Sequence, residues 1–345
     1  MKLNEAVIDH YRAEMMPVRE IKKAIKLNEA YIKEKPNWYM INGKPQYFKI
    51  RSDFRLFTEQ FFSRFGKEIM GFDTLDYHVA YVRTIIPGES STKEQTKCGL
   101  LSENFQTPQF NYYLVSELMN PEISNCSFFG KYSLTTLLKF FQETLPYEDY
   151  TKNELFLIKL FISDAFTHQE DRNWHNIGFQ IPKIEGVNYS KRLHPEQIME
   201  YAGTEYLEMS PNGTPLLKGL MPSVAYDNER IFGTDHKFVH TYEAGQVWCP
   251  LFPYDESLLF HTQDEAQRCA EEFDGMDPNL LNLYLDHYET CKPIFERLAE
   301  SDEYRDILAD FTNGNSQIIL SDEEYDRIVG IVEDKKKTFQ KILKY

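Results

Sequence analysis

Apolar positions recur with two different spacings along this chain, and the change from one to the other divides it. Residues 5–35 are mixed in charge and read as helical, closed by Pro36. Trp38–Ile41 and Gln46–Ile50 then read as strands joined at Asn42-Gly43, a pair that tolerates the positive φ a tight hairpin turn requires. From Thr58 to Met70, Phe61, Phe65 and Ile69 fall at intervals of four before Gly71, which predicts a helix with one apolar stripe. Tyr77–Ile86 and Cys98–Glu103 read as two further strands, separated by the Pro87-Gly88 turn. The aromatic stripe Phe57, Phe61 and Phe65 is read as core packing.

Beyond residue 105 the spacing becomes mainly helical. Leu134, Leu137, Leu138 and Phe141 mark one amphipathic helix. A second is expected to open at the capping box Thr151-Lys152-Asn153-Glu154, to bury Leu155, Ile158, Ile162 and Ala165, and to end near Phe166. The polar stretch Thr167–Asn176 follows, then a short strand Ile177–Ile181, with Ser223–Tyr226 as its expected partner. Residues 264–345 read as several helices, the last starting at the capping box Ser321-Asp322-Glu323-Glu324. Asp334–Lys337 within it is read as a solvated face. The elements divide into residues 1–36 as a helical extension, 37–105 as a small strand-rich lobe and 106–345 as a helical lobe. Lys183–Met221 is read as an insertion between two strands of that lobe.

Composition narrows the class. The 345 residues hold 25 Phe, 22 Tyr and 3 Trp, enough to fill a sizeable core, so most of the length is expected to fold. With 38 Lys and Arg against 54 Asp and Glu, the net charge is −16, which argues against a broad nucleic-acid or anionic-membrane surface. No stretch approaches the roughly 20 apolar residues of a membrane span, and Met1–Asp9 has no apolar signal core, so a cytoplasmic address is expected. The five cysteines, Cys98, Cys126, Cys249, Cys269 and Cys291, are widely spaced without a C-x-x-C pair, and read as reduced packing residues.

The candidate chemistry lies in Phe166–Phe179, a charged segment between an apolar helix and an apolar strand. Such a segment connects core elements only if its side chains find partners. Asp171 and Asn176 are five apart with a strand immediately after. In a phosphoryl-transfer enzyme that arrangement does two tasks: the Asp orients or deprotonates an incoming hydroxyl, and the Asn oxygen ligates Mg²⁺. Asp227 follows the second strand and is the expected partner of Asn176 in holding the metal. In the small lobe, Lys49 ends the hairpin's second strand and Glu59 lies in the first turn of the next helix, a pair suited to holding nucleotide phosphates. His168 and His175 with Asp171 form a competing metal-hydrolase set, but their seven-residue spacing fits no common helical zinc motif.

The segment Glu170-Asp171-Arg172-Asn173-Trp174-His175-Asn176-Ile177-Gly178-Phe179 resembles the catalytic loop of HipA-type serine/threonine kinases, N-x-D-R-H-x-x-N-x-x-F. Asp171, Arg172, Asn176 and Phe179 match, whereas Gln169 and Asn173 replace the usual Asn and His. Tyr226-Asp227 resembles the later metal-binding motif and Phe48-Lys49 the ATP-contacting strand; Cys98–Phe105 is similar to the strand entering the hinge. The resemblance implies an α+β, two-lobed kinase-like fold and transfer of the γ-phosphoryl of ATP, with Mg²⁺, to a protein Ser or Thr hydroxyl, including the chain's own. It further implies adenine contacts along Ser102, Glu103 and Phe105, chiefly through their backbone, and a regulatory protein partner. No G-x-G-x-x-G loop is present, and 51 residues separate Asn176 from Asp227. These departures keep open an inactive nucleotide-binding or interaction module, and a kinase of lipids or small molecules.

Overall fold

Asn42 and Gly43 both take positive φ, 51° and 76°, in the turn between strands β3 and β4, so the hairpin forms where the Asn-Gly pair predicts it. A computed structural model describes residues 1–16, 38–51, 54–85, 94–105, 109–115, 118, 133–174, 176–183, 205–225, 231–232 and 246–345. Within them the chain divides into two compact units. One comprises Met1–Thr107 with Glu303–Val329, the other Pro108–Asp302 with Gly330–Tyr345.

The first unit is built on a closed five-stranded barrel. After the short strand β1 (Lys2–Leu3) come β2 (Asp9–Met15), β3 (Trp38–Ile41), β4 (Lys44–Ile50), β5 (His78–Ile85) and β6 (Glu94–Glu103), and the barrel closes in the order β2-β3-β4-β6-β5. Closure removes the exposed edges an open sheet would carry. Tyr39, Ile41, Phe48, Val82 and Leu101 fill one core cluster. Helix α1 (Arg55–Arg64) runs on as a π-helical turn, Phe65–Met70, and stops at Gly71 with φ 67°. Phe57, Phe61 and Phe65 are wholly buried, as core packing requires.

Two features of this unit differ from the sequence reading. Asp9–Met15 is a strand instead of part of a helix, held by parallel pairing with β5 from Asp9↔Ala80 to Glu14↔Ile85; tertiary pairing overrides local helical preference there. Residues 17–37, the rest of that expected helix, lie outside the described residues, as does the Pro87-Gly88 turn. Residues 303–329 join this unit by pairing and packing on several of its elements. The strand Ile318–Ile319 pairs with β1, the Gln317 amide donates to the Val79 carbonyl (3.0 Å) and accepts from its N–H (2.8 Å), and Phe311 packs edge-on against Phe57.

The second unit holds a three-stranded antiparallel sheet and most of the helices. Strand β7 (Phe110–Leu114) precedes α2 (Leu134–Thr144) and α3 (Tyr147–Phe166), and β8 (Gly178–Pro182) lies between β7 and β11 (Met221–Pro222). The hairpin β9 (Leu207–Met209) and β10 (Pro215–Leu217) occupies the end of the expected insertion, of which 184–204 lies outside the described residues. The sheet partner expected at Ser223–Tyr226 lies at Met221–Pro222, starting two residues earlier. Gly178 is required by close approach, since a Cβ there would meet the Tyr112 hydroxyl at 1.9 Å.

Helix α2 buries Leu134, Leu137, Leu138 and Phe141, as the spacing predicts. Helix α3 begins a turn before the expected capping box, with Pro146 at its N-cap, and Leu155 is 41% exposed while Ile158, Ile162 and Ala165 are buried. Helices α4 (Gln263–Glu272), α5 (Pro278–Asp286) and α6 (Tyr288–Glu300) follow. The C-terminal helix Asp322–Ile342 opens on the predicted box: Ser321 Oγ accepts from the Glu324 N–H (3.3 Å) and the Glu324 carboxylate accepts from the Ser321 N–H (2.9 Å). Lys337 is exposed, as a solvated face requires, but two other lysines of the Asp334–Lys337 run are not. Lys335 and Lys336 are 3% and 7% exposed, because Lys336 donates to Asp302 (2.6 Å) and Lys335 faces the buried carboxylate of Asp277.

Candidate functional site

Two groups of predicted residues are assembled, one in each unit. In the first, Lys49 near the end of β4 donates from Nζ to Glu59 Oε1 at 2.6 Å. Helix α1 begins at Arg55, earlier than expected, so Glu59 sits in its second turn, wholly buried, while the Lys49 side chain is 12% exposed. A buried carboxylate that fixes an ammonium at the edge of solvent places a cation at a defined point while leaving it within reach of an anionic ligand. Strand β6 runs beside β4 with Lys49 opposite Leu100, and Ser102 and Glu103 are its last residues. Ser102 is buried; Glu103 is exposed and accepts from Lys44 Nζ at 3.2 Å; Phe105, half-buried, follows two residues on.

In the second unit, the loop after α3 is shaped by how that helix ends. The Gln169 N–H donates to the Asp164 carbonyl (2.7 Å) and the His168 N–H to that of Ala165 (3.2 Å), a Schellman closure in which His168 takes left-handed φ, 54°, where glycine is usual. Such a conformation costs a non-glycine residue roughly 1 kcal/mol, offset here by packing and pairing. The reversal carries Arg172 back over the last turn. There its Nε and Nη2 each meet a carboxylate oxygen of Asp164 at 2.8 Å, with both side chains buried. Burial pushes the Asp164 carboxyl up, against the pull of the guanidinium.

Asp171 and Asn176 are brought together by this fold. The Asp171 carbonyl accepts from Asn173 Nδ2 (3.2 Å) and Asn176 Nδ2 (3.4 Å), and its N–H donates to Gln169 Oε1 (3.1 Å). Asn176 is 4% exposed, and its Oδ1 accepts from the Asn173 N–H at 2.9 Å. An amide oxygen has two lone pairs, so this bond fixes its direction and leaves a lone pair for a hard cation. That amide oxygen fits Mg²⁺, which takes hard oxygen ligands. Asp227, expected to complete the set, lies outside the described residues, as does His175. Among the described residues no three His, Cys, Asp or Glu side chains cluster as a metal site. His168, the other histidine of the hydrolase reading, is 1% exposed with Nε2 3.0 Å from Glu170 Oε1. Burial, aided by Lys335, holds its pKa down at about 4 despite Glu170, so the ring is neutral near pH 7.

Sequence reasoning missed the residues that support this loop from a distance. Trp248, 1% exposed, donates from its indole N–H to the Gln169 carbonyl at 2.7 Å, and the Leu251 N–H donates to that of Glu170 at 3.3 Å. The Trp248 N–H in turn donates to Asp277 Oδ2 (3.1 Å), while Asp277 Oδ1 caps α5 by accepting from the Asn279 and Leu280 N–H groups. A signal existed: Trp248 is one of three tryptophans, and a buried indole N–H needs an acceptor.

No protein-family model matches this chain, and no curated protein matches it. Among solved structures it is similar to the Helicobacter pylori proinflammatory kinase CtkA, at 11% identity over 90% of this chain and 94% of that one, with a TM-score of 0.47. It is also similar to a chain of the Shewanella oneidensis MR-1 toxin–antitoxin complex of HipA, HipB and operator DNA, at 10% identity over 97% and 74%, with a TM-score of 0.44. At these identities and scores the likeness carries no correspondence between individual residues.

Proposed function

We propose that this protein transfers the γ-phosphoryl group of ATP, with Mg²⁺, to a Ser or Thr hydroxyl of a protein, its own chain included, in the cytoplasm and under control of a protein partner. The observation that carries this reading is the Lys49–Glu59 pair, since Glu59 is wholly buried and Lys49 is held at 2.6 Å with part of its surface accessible. The loop that joins Asp171 to Asn176 through the Asp171 carbonyl supports it from the other unit. Lys49 would bind nucleotide phosphates with Glu59 fixing its position, and the backbone of Ser102, Glu103 and Phe105 would line the adenine. Asn176 and Asp227 would hold the metal, which when bound neutralises charge on the phosphates. Asp171 would orient the acceptor hydroxyl and take its proton. Positioning and charge neutralisation would supply most of the rate, because a loose phosphoryl transition state needs little covalent help.

The test is the purified chain with γ-labelled ATP and Mg²⁺, followed by Asp171→Asn. Transfer should fall by roughly 100-fold or more while nucleotide binding stays within about twofold. Transfer near the wild-type rate would remove Asp171 from its role. A wild-type chain that binds ATP without transferring phosphate to protein, lipid or small acceptors would leave a nucleotide-binding module instead.

A further inference from the structure

We infer that Trp248 is a positioning residue for Asp171, acting through Gln169; the inference rests on the phosphoryl-transfer reading of the loop. Gln169 is held at two points. Its carbonyl accepts the Trp248 indole N–H at 2.7 Å, and its side-chain Oε1 accepts the Asp171 N–H at 3.1 Å. Gln169 is wholly buried, so neither bond is exchanged with bulk water. The direction of the Asp171 backbone thus depends on where the Gln169 side chain sits, and that depends on where Trp248 pins the Gln169 main chain.

Trp248 is itself fixed from behind. Its N–H is taken by Asp277, whose other oxygen caps α5, and its ring packs edge-on against Phe161 of α3, with centroids 4.9 Å apart. A helix cap, an indole and a glutamine amide form one line of hydrogen bonds ending at the Asp171 N–H. The Gln169 amide makes the last bond of the line. The loop needs such support because His168 holds the preceding bend in a left-handed conformation, which favours relaxation if the restraints are removed.

Positioning and mere packing make different predictions. Trp248→Phe keeps an aromatic ring but removes the N–H donor together with part of the indole's volume, the packing loss being what Phe161→Leu controls for. It should lower kcat by about tenfold or more with the KM for ATP unchanged, and speed hydrogen exchange at the Asp171 amide. Gln169→Met removes the acceptor at similar volume and should do the same, and the double variant should be no worse than the more damaging single one. Phe161→Leu loosens the packing of the same indole but leaves its N–H, so it should lower stability while kcat stays within about twofold. If Trp248→Phe does not fold, Gln169→Met and Phe161→Leu carry the comparison. Trp248→Phe with wild-type kcat and wild-type Asp171 exchange would overturn the inference, as would Phe161→Leu losing kcat to the same degree. If the wild-type chain transfers no phosphate, the catalytic reading fails separately, and exchange at the Asp171 amide still decides whether Trp248 sets that backbone.

Discussion

Two buried ion pairs, one in each unit, use the same chemistry for different ends. Arg172 and Asp164 are sealed, with side chains 2% and 3% exposed and two hydrogen bonds of 2.8 Å between them. Lys49 and Glu59 share one contact of 2.6 Å, with the carboxylate wholly buried but the ammonium 12% exposed. A forked guanidinium with both ends buried holds two pieces of backbone together and has little accessible surface to offer a ligand. An ammonium fixed by a buried carboxylate but still partly accessible can exchange part of its solvation for a phosphate. The first pair therefore shapes the loop carrying Asp171, and the second is suited to binding.

The sharpest way to break this contrast is Arg172→Met. It leaves Asp164 buried without its counter-charge and should cost about 3–5 kcal/mol of stability by urea denaturation. Adding Asp164→Leu should restore much of that loss, because apolar groups of similar volume replace a buried pair at little cost. A single variant as stable as the wild type would show that the pair holds nothing.

The loop's acid response comes next in size. The His168 pKa is lowered from 6.5 to about 4 in the folded chain, so between those values the unfolded chain binds the extra proton. Stability from this group is therefore complete above pH 6.5 and lost as the pH falls toward 4, by roughly 3 kcal/mol at most. His168→Asn tolerates the left-handed bend and removes the titration, so its stability should vary less than wild type across that window. Parallel curves for the two proteins would assign the acid sensitivity elsewhere.

How much of this was legible beforehand follows from how local each cause is. The Asn42-Gly43 turn, the Ser321 capping box and the Lys49–Glu59 pair each depend on neighbours in sequence or on one strand meeting the next helix. Strand β2 was illegible because its partner, Ala80 opposite Asp9, is 80 − 9 = 71 residues away. The same holds for Lys335 and Lys336, which read as solvated because their carboxylate partners, Asp277 and Asp302, come from other parts of the chain. Asp171 and Asn176 were legible as a spacing. What holds them, the helix-end closure at His168 and the hydrogen bond from Trp248, depends on a positive φ at a non-glycine residue and on a contact across 248 − 169 = 79 positions.

Lys49→Met sharpens the other side of the comparison. Solvent already reaches Lys49, so water can approach the Glu59 carboxyl when the ammonium is gone, and the stability loss should be smaller than that of Arg172→Met. Nucleotide affinity should instead weaken about tenfold or more, near 1.4 kcal/mol, measured by calorimetry with ATP and Mg²⁺. Loss of stability equal to that of Arg172→Met with ATP affinity unchanged would make this pair structural as well.

The smallest effect is expected at a third pair, which sets the exposed limit of the series. Lys44 and Glu103 lie 3.2 Å apart with side chains 66% and 65% exposed, so water screens their attraction and each loses rotamer freedom in holding the other. Lys44→Ala should change stability by no more than about 0.5 kcal/mol, and less still at high salt. It also tests how the end of β6 contributes. If Ser102, Glu103 and Phe105 serve adenine through their backbone, freeing the Glu103 carboxylate should leave ATP affinity within about twofold. A tenfold change would place that carboxylate, and its pairing with Lys44, in the binding of nucleotide.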